Sequence, residues 1–161
     1  MVMSLPPDFS EFLSLLNCHD VDYLLVGGFA VGFHGYPRAT SDLEICFRSS
    51  RENATRIVAA LRAFGFDTPN LNEDLFLQRR RIVRMGHPPM RIELMNEIDG
   101  VTFEDCRPGA ILADIDGIQV PVIGLSDLKR NKRASGRPED SEIAAPFLGQ
   151  ISRSLNAAVA S

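Results

Sequence analysis

The sequence predicts a small α+β domain in which helices pack against a mixed β-sheet, and three observations carry that expectation. A short, nearly all-apolar run, Tyr23 to Val26, ends in Gly27-Gly28 and suits a strand covered on both faces. Asp116-Gly117 between two apolar runs is the strongest short hairpin signal available. Helical stripes alternate with such runs, and no internal repeat, low-complexity tract or linker composition divides the 161 residues.

Taken in order, Asp8 and Glu11 have capping-box spacing after Pro6-Pro7. Phe9, Phe12, Leu13 and Leu16 recur at helical spacing, which predicts a helix from Asp8 to Asn17. Beyond the Tyr23–Val26 strand, Gly27-Gly28 can adopt backbone angles closed to other residues, and a helix fits Phe29 to His34 with Gly35 as its stop. Thr40 to Phe47 reads as a strand with one wet face, Asp42 and Glu44 pointing one way and Leu43 and Ile45 the other. Ser50 caps a helix whose stripe is Ile57, Val58, Leu61 and Phe64, with Gly65 at its end. Asp67 to Leu77 is loop with one helical turn near Glu73 to Phe76.

Arg80 to Met85 and Arg91 to Met95 predict antiparallel strands joined through Gly86-His87-Pro88-Pro89. Ile98 to Cys106 is loop with a helical turn, and Ala110 to Ile115 and Ile118 to Val122 form the hairpin around Asp116-Gly117. A basic helix from Leu125 to Ala134, capped by Ser126, breaks at Ser135-Gly136-Arg137-Pro138. A last helix fits Glu139 to Leu155, with Ile143, Phe147, Leu148 and Ile151 on its apolar face, and the tail 156–161 is expected to fray.

Hydrophobic content of 45% with 24% charged residues is that of a soluble globular fold, and the length fits one domain spanning 1–161. No apolar run approaches the roughly 20 residues that span a bilayer, and the amino terminus lacks a basic flank and h-region, so a cytoplasmic protein without a membrane partner is expected. Three widely spaced cysteines, Cys18, Cys46 and Cys106, argue for reduced thiols over a disulfide framework or a zinc site. The net charge of -4 gives no global attraction to nucleic acid, although Arg79, Arg80, Arg81 and Arg84 cluster in one segment and Lys129, Arg130, Lys132, Arg133 and Arg137 in another. Without aromatic interleaving the first cluster reads as a solvated or acid-paired strand.

The chemistry-bearing residues begin at the diglycine turn. A strand running into two glycines and a short helix makes a backbone-lined anion site, and two acids follow closely. On one strand face, Asp42 and Glu44 can reach common divalent cations, and magnesium takes such oxygen ligands together with substrate phosphates. An isolated acid-x-acid pair is more often an ordinary solvated strand face. A third acid changes that balance: Glu93, in Met90-Arg91-Ile92-Glu93-Leu94-Met95, sits on the polar face of its strand, and the three converge if that strand neighbours the first.

Gly27-Gly28 with Asp42-Leu43-Glu44 resembles the glycine pair and acid-x-acid motif of the DNA polymerase beta-like nucleotidyltransferase superfamily. The blocks 25–31, 34–42, 89–94 and 129–138 look like those of a family of small bacterial nucleotidyltransferase-like proteins, a likeness running roughly from Tyr23 to Asp140. The resemblance implies a nucleotidyltransferase-like mixed sheet and a metal-dependent transfer of a nucleoside monophosphate from an NTP to an acceptor hydroxyl. Its cofactor would be Mg2+, with Mn2+ as a substitute. Carried over by position, Asp42, Glu44 and Glu93 are the metal-binding and catalytic acids, with Glu93 the expected base. Gly27 and Gly28 fall on the triphosphate loop, and Arg38, Ser41, Lys129 and Lys132 fall in blocks assigned to nucleotide binding. The family usually has Asp at the second and third acids, where this chain has Glu44 and Glu93. That departure, with the absence of an evident acceptor-binding domain, motivates an alternative: a catalytically weakened binding module of the same fold, for example a component of a toxin–antitoxin pair. The acceptor stays open between RNA, a protein and a small molecule, and a chain this short could complete its site as a homodimer or with a cognate protein partner.

Overall fold

The computed structural model describes residues 4–36, 40–87 and 90–135. The predicted helix over 139–155, the tail 156–161, and Arg38 and Arg137 lie outside them. The elements run α1 (Pro7–Cys18), β1 (Tyr23–Val26), α2 (Gly27–Phe33), β2 (Leu43–Phe47), α3 (Arg51–Phe64), a 3-10 turn (Glu73–Phe76), β3 (Ile82–His87), β4 (Met90–Met95), α4 (Phe103–Cys106), a second 3-10 turn (Arg107–Gly109), β5 (Ile111–Ile115), β6 (Ile118–Val122) and α5 (Leu125–Ala134).

Six strands form one mixed sheet in the order β3-β4-β2-β1-β6-β5. β1 is central and all four of its residues are buried, as its unbroken apolar run requires. It pairs antiparallel with β2 and parallel with β6, while β2 and β4 run parallel. The hairpin turns at Asp116 and Gly117, whose φ values of 53° and 83° suit the Asp-Gly pair. Leu112, on the edge strand β5, is 64% exposed.

The helices bury the faces that their spacing marks. Phe9, Phe12, Leu13 and Leu16 of α1 and Ile57, Val58 and Leu61 of α3 are all buried, and Phe12 meets Phe64 at 5.2 Å between ring centroids. Each such aliphatic side chain removed from water contributes about 1.5–3 kcal/mol. Ser50 caps α3 by accepting from the Asn53 N–H, and Gly65 ends it at φ 117°. Two expected caps differ. Pro6 precedes α1 without a side-chain cap, and Pro7 takes the first position, where a missing N–H costs nothing, so the Asp8–Glu11 box does not form. At α5 the cap is Gly124, because a Cβ there would lie 2.6 Å from the Gly109 carbonyl oxygen, and Ser126 falls inside the helix. Among the described residues, no helix is long and apolar enough to cross a membrane. Cys46 and Cys106 are buried free thiols, and burial pushes the Cys106 thiol up to about 11. Cys18 is free but exposed.

At the sheet end where β1 starts, Asp22 accepts from Arg48 at 2.6 Å and from Arg107 at 3.0 Å. Burial raises the Asp22 carboxyl, but these two guanidinium groups outweigh it and hold it below the usual carboxylate range. A carboxylate depressed in the folded state contributes stability above its unfolded pKa of about 3.9 and loses it as pH falls through the lower folded value. Asp22→Asn is therefore expected to lower the melting temperature at pH 7 and to bring the variant and wild-type curves together below about pH 4. Thermal melts across pH check it, and a gap that stays constant down to pH 2 would refute it.

Candidate functional site

Register along the sheet assembles the acids. Glu44 pairs with Val26 at the end of β1 on one side and with Glu93 of β4 on the other, and Glu93 pairs in turn with Arg84 of β3. Residues opposite one another in a ladder share a face, so Val26, Glu44, Glu93 and Arg84 form one row across four strands. Arg91 stands two residues before Glu93 and therefore occupies the next row of the same face, and Asp42, just ahead of β2, is tied to it by an ion pair. The neighbouring strands needed to bring the three acids to one place are thus present.

Two of the acids carry arginine partners. Arg84 donates through Nε to Glu93 at 2.7 Å, and the Glu93 side chain is only 10% exposed. Arg91 donates through a terminal guanidinium nitrogen to Asp42 at 3.3 Å, across side chains that are partly exposed. The Arg91 Nε is itself buried and has no hydrogen-bond partner among the described residues. Glu44 lies over the diglycine turn, where a Cβ on Gly27 would stand 2.5 Å from its carboxyl carbon and 2.9 Å from its Cβ. Gly27 also has φ 72°, in the left-handed region that favours glycine. Gly28 is closed on its other side, since a Cβ there would lie 2.5 Å from the Thr40 hydroxyl oxygen. The two glycines therefore let the segment entering β2 cross directly over the start of α2.

The other predicted site residues divide. Ser41 is exposed and lies between Thr40 and Asp42, at the rim of the acid face. Lys129 sits in the middle of α5. Lys132 is in its last turn, whose neighbour Asn131 donates to the Asp99 carbonyl at 2.8 Å and whose Ala134 abuts Gly100. Asp99 follows β4 and pairs with Arg80 just before β3. His34 donates from Nε2 to the Ile123 carbonyl at 2.8 Å and ties α2 to the exit of β6. Sequence reasoning singled out neither Thr40 nor Arg91. Arg91 was detectable as the i−2 neighbour of Glu93 on one strand face, whereas the Thr40 contact depends on how the chain folds back.

The donor set is carboxylate oxygen throughout, the chemistry that magnesium takes, and two of its members, Glu44 and Glu93, stand in register on one face. The set matches a divalent cation in the kind of its donor atoms alone. As the side chains lie, with Asp42 and Glu93 turned to arginines, no group of three or more His, Cys, Asp or Glu among the described residues is arranged to hold a metal ion.

Neither a protein-family model nor a curated protein matches the chain. A solved structure described as a "putative nucleotidyltransferase" from Thermotoga maritima does, at 15% sequence identity and a TM-score of 0.57, over 83% of this chain and 85% of that one. With its six-stranded mixed sheet and helices, this chain has a nucleotidyltransferase-like fold.

Proposed function

We propose that the chain is a metal-dependent nucleotidyltransferase that moves a nucleoside monophosphate from an NTP to an acceptor hydroxyl, releasing pyrophosphate. The observation that supports this reading most is the parallel pairing of Glu44 with Glu93, with Glu44 lying over the diglycine turn and Asp42 two residues before it. Asp42, Glu44 and Glu93 would hold Mg2+ or Mn2+, which supplies charge neutralisation at the phosphates and polarises the phosphoryl group. Glu93 would also accept the proton of the attacking hydroxyl. The backbone amides of Gly27 and Gly28 would take developing phosphate charge, and Ser41 at the rim would donate a hydrogen bond to the triphosphate. Lys129 and Arg38 would add positive charge for the phosphates.

A second reading has its own support: arginines already pair with Glu93 and Asp42. On that reading the fold serves as a binding module for a cognate protein, and catalysis is weak or lost. Calorimetric titration of ATP and GTP, with and without magnesium, separates the two. Magnesium-strengthened triphosphate binding is expected for the transferase, and absence of binding at millimolar nucleotide would refute it. Incubation with labelled NTP, Mg2+ or Mn2+ and cell extract then identifies the acceptor as RNA, protein or small molecule by which class acquires the label.

A further inference from the structure

We propose that the surface joining the entry of β3 to the last turns of α5 binds the phosphate backbone of a base-paired nucleic-acid stem. The inference stands on the placement of charge and holds whether or not the chain transfers nucleotides.

Two basic segments far apart in sequence, Arg79 to Arg81 and Lys129 to Arg133, meet at one loop. Arg80 reaches the Asp99 carboxylate at 3.8 Å, while Asn131 of α5 donates to the Asp99 carbonyl at 2.8 Å. Gly100, the next residue, lies so close to α5 that a Cβ there would stand 2.5 Å from the Ala134 Cβ and 2.9 Å from the Arg130 carbonyl oxygen. Asn131 and Ala134, three residues apart, thus turn one stripe of α5 to this loop, and Arg130 and Arg133 form the stripe beside it. Leaving Lys129 to the nucleotide, Arg79, Arg80, Arg81, Arg130, Lys132 and Arg133 stand here with Glu97, Asp99 and Asp127. A chain of net charge -4 therefore carries a local excess of positive charge on this surface.

The cations are open to solvent. Arg79, Arg80 and Arg130 keep 82%, 62% and 50% of their side chains exposed although each has an acidic partner, and Arg133 is exposed. Ion pairs of this kind are worth about 0–1 kcal/mol, so a phosphate can take over such an arginine at little cost. What surrounds the charges selects the partner. A protein interface is built on an apolar centre, but the exposed large hydrophobic residues of the described chain lie elsewhere. Ile111 and Leu112 are on the edge strand β5, across the sheet from β3, and Met90 is at the opposite end of the β3–β4 ladder. Single strands need aromatic side chains on which bases stack, and none occurs in 77–101 or 123–135. A base-paired stem, with its bases already stacked and its phosphates facing outward, requires the cations alone.

Fluorescence anisotropy of labelled RNA and DNA hairpins of about 16 base pairs, with the full chain in EDTA and across NaCl concentrations, tests this. Binding is expected to fall on the order of a hundredfold between about 50 and 200 mM salt, the loss for about four phosphate contacts, and the tighter hairpin identifies the source of the stem. Arg79→Gln and Arg133→Gln should each weaken binding by about threefold or more at low salt and flatten the salt slope by about 1. Arg51→Gln and Arg56→Gln, which remove exposed, ion-paired arginines of α3, should bind as wild type does. Equal losses in the α3 variants, or no binding of either hairpin at about 50 mM salt, overturn the proposal. So does equal affinity for poly-glutamate with the same losses at Arg79 and Arg133, which would mark the surface as one for an acidic protein. None of these outcomes touches the transferase reading, which the triphosphate titration decides.

Discussion

Asp42→Ala is expected to abolish nucleotidyl transfer, by at least about a thousandfold, while leaving the protein folded. The loss follows from the reading of Asp42 as a ligand to the cation that carries transition-state charge, an effect worth several kcal/mol, where each 1.36 kcal/mol is tenfold in rate. Folding should survive because Asp42 precedes β2 instead of lying in its core, its side chain is 25% exposed, and its ion pair with Arg91 is of the partly exposed kind worth about 0–1 kcal/mol. Activity on labelled NTP and a thermal melt, run on the same preparation, check both halves. An unchanged rate would remove Asp42 from the proposed site, and a large fall in melting temperature would show that its role is structural.

Gly27→Ala is expected to cost about 2–5 kcal/mol of stability and to remove activity in whatever fraction still folds. Two penalties add. An alanine at φ 72° meets the left-handed steric cost of about 1–2 kcal/mol. Its Cβ would also overlap Glu44 at 2.5 Å from the carboxyl carbon and 2.9 Å from the Glu44 Cβ, and overpacking of this sort costs about 1–3 kcal/mol. The far end of Glu44 can swing away, but its Cβ is fixed by the β2 backbone, so the strand itself has to move. Gly35→Ala is the control: φ there is 96°, and nothing lies within 4 Å of the added Cβ. Only the backbone penalty applies to it. Chemical denaturation of both variants, and of Gly27→Ala combined with Glu44→Ala, checks the division. The second substitution should recover part of the loss, because it removes the carboxyl group that the new Cβ meets, and strict additivity of the two changes would refute the contact as the cause.

Gly27 and Arg84 mark how far the sequence could be read. A glycine pair after an apolar strand was legible as a turn, because Val, Leu and Tyr in a short run and two residues without Cβ are local properties. The positive φ at Gly27 was legible as a possibility, but its reason, the body of Glu44 arriving from β2, was not. Arg84 was legible as one of a group of arginines suited to an acid-paired strand. Which acid it meets required knowing that β3 is the outer neighbour of β4.

The sequence by itself determined where most elements lie, since helical stripes, the Ser50 cap, the Gly65 stop and the Asp116-Gly117 turn act over a few residues. It also determined which residue types could do chemistry. The caps of α1 and α5 escaped it, one because proline at the first helical position made a side-chain cap unnecessary and one because the Gly109 carbonyl packs against Gly124. Only the tertiary structure decided that β2 and β4 lie side by side in parallel, setting Glu44 against Glu93 with arginines on Glu93 and Asp42. The physical reason is that strand order and register are chosen by the burial of the whole sheet between its helices, a sum over distant side chains that no local pattern contains.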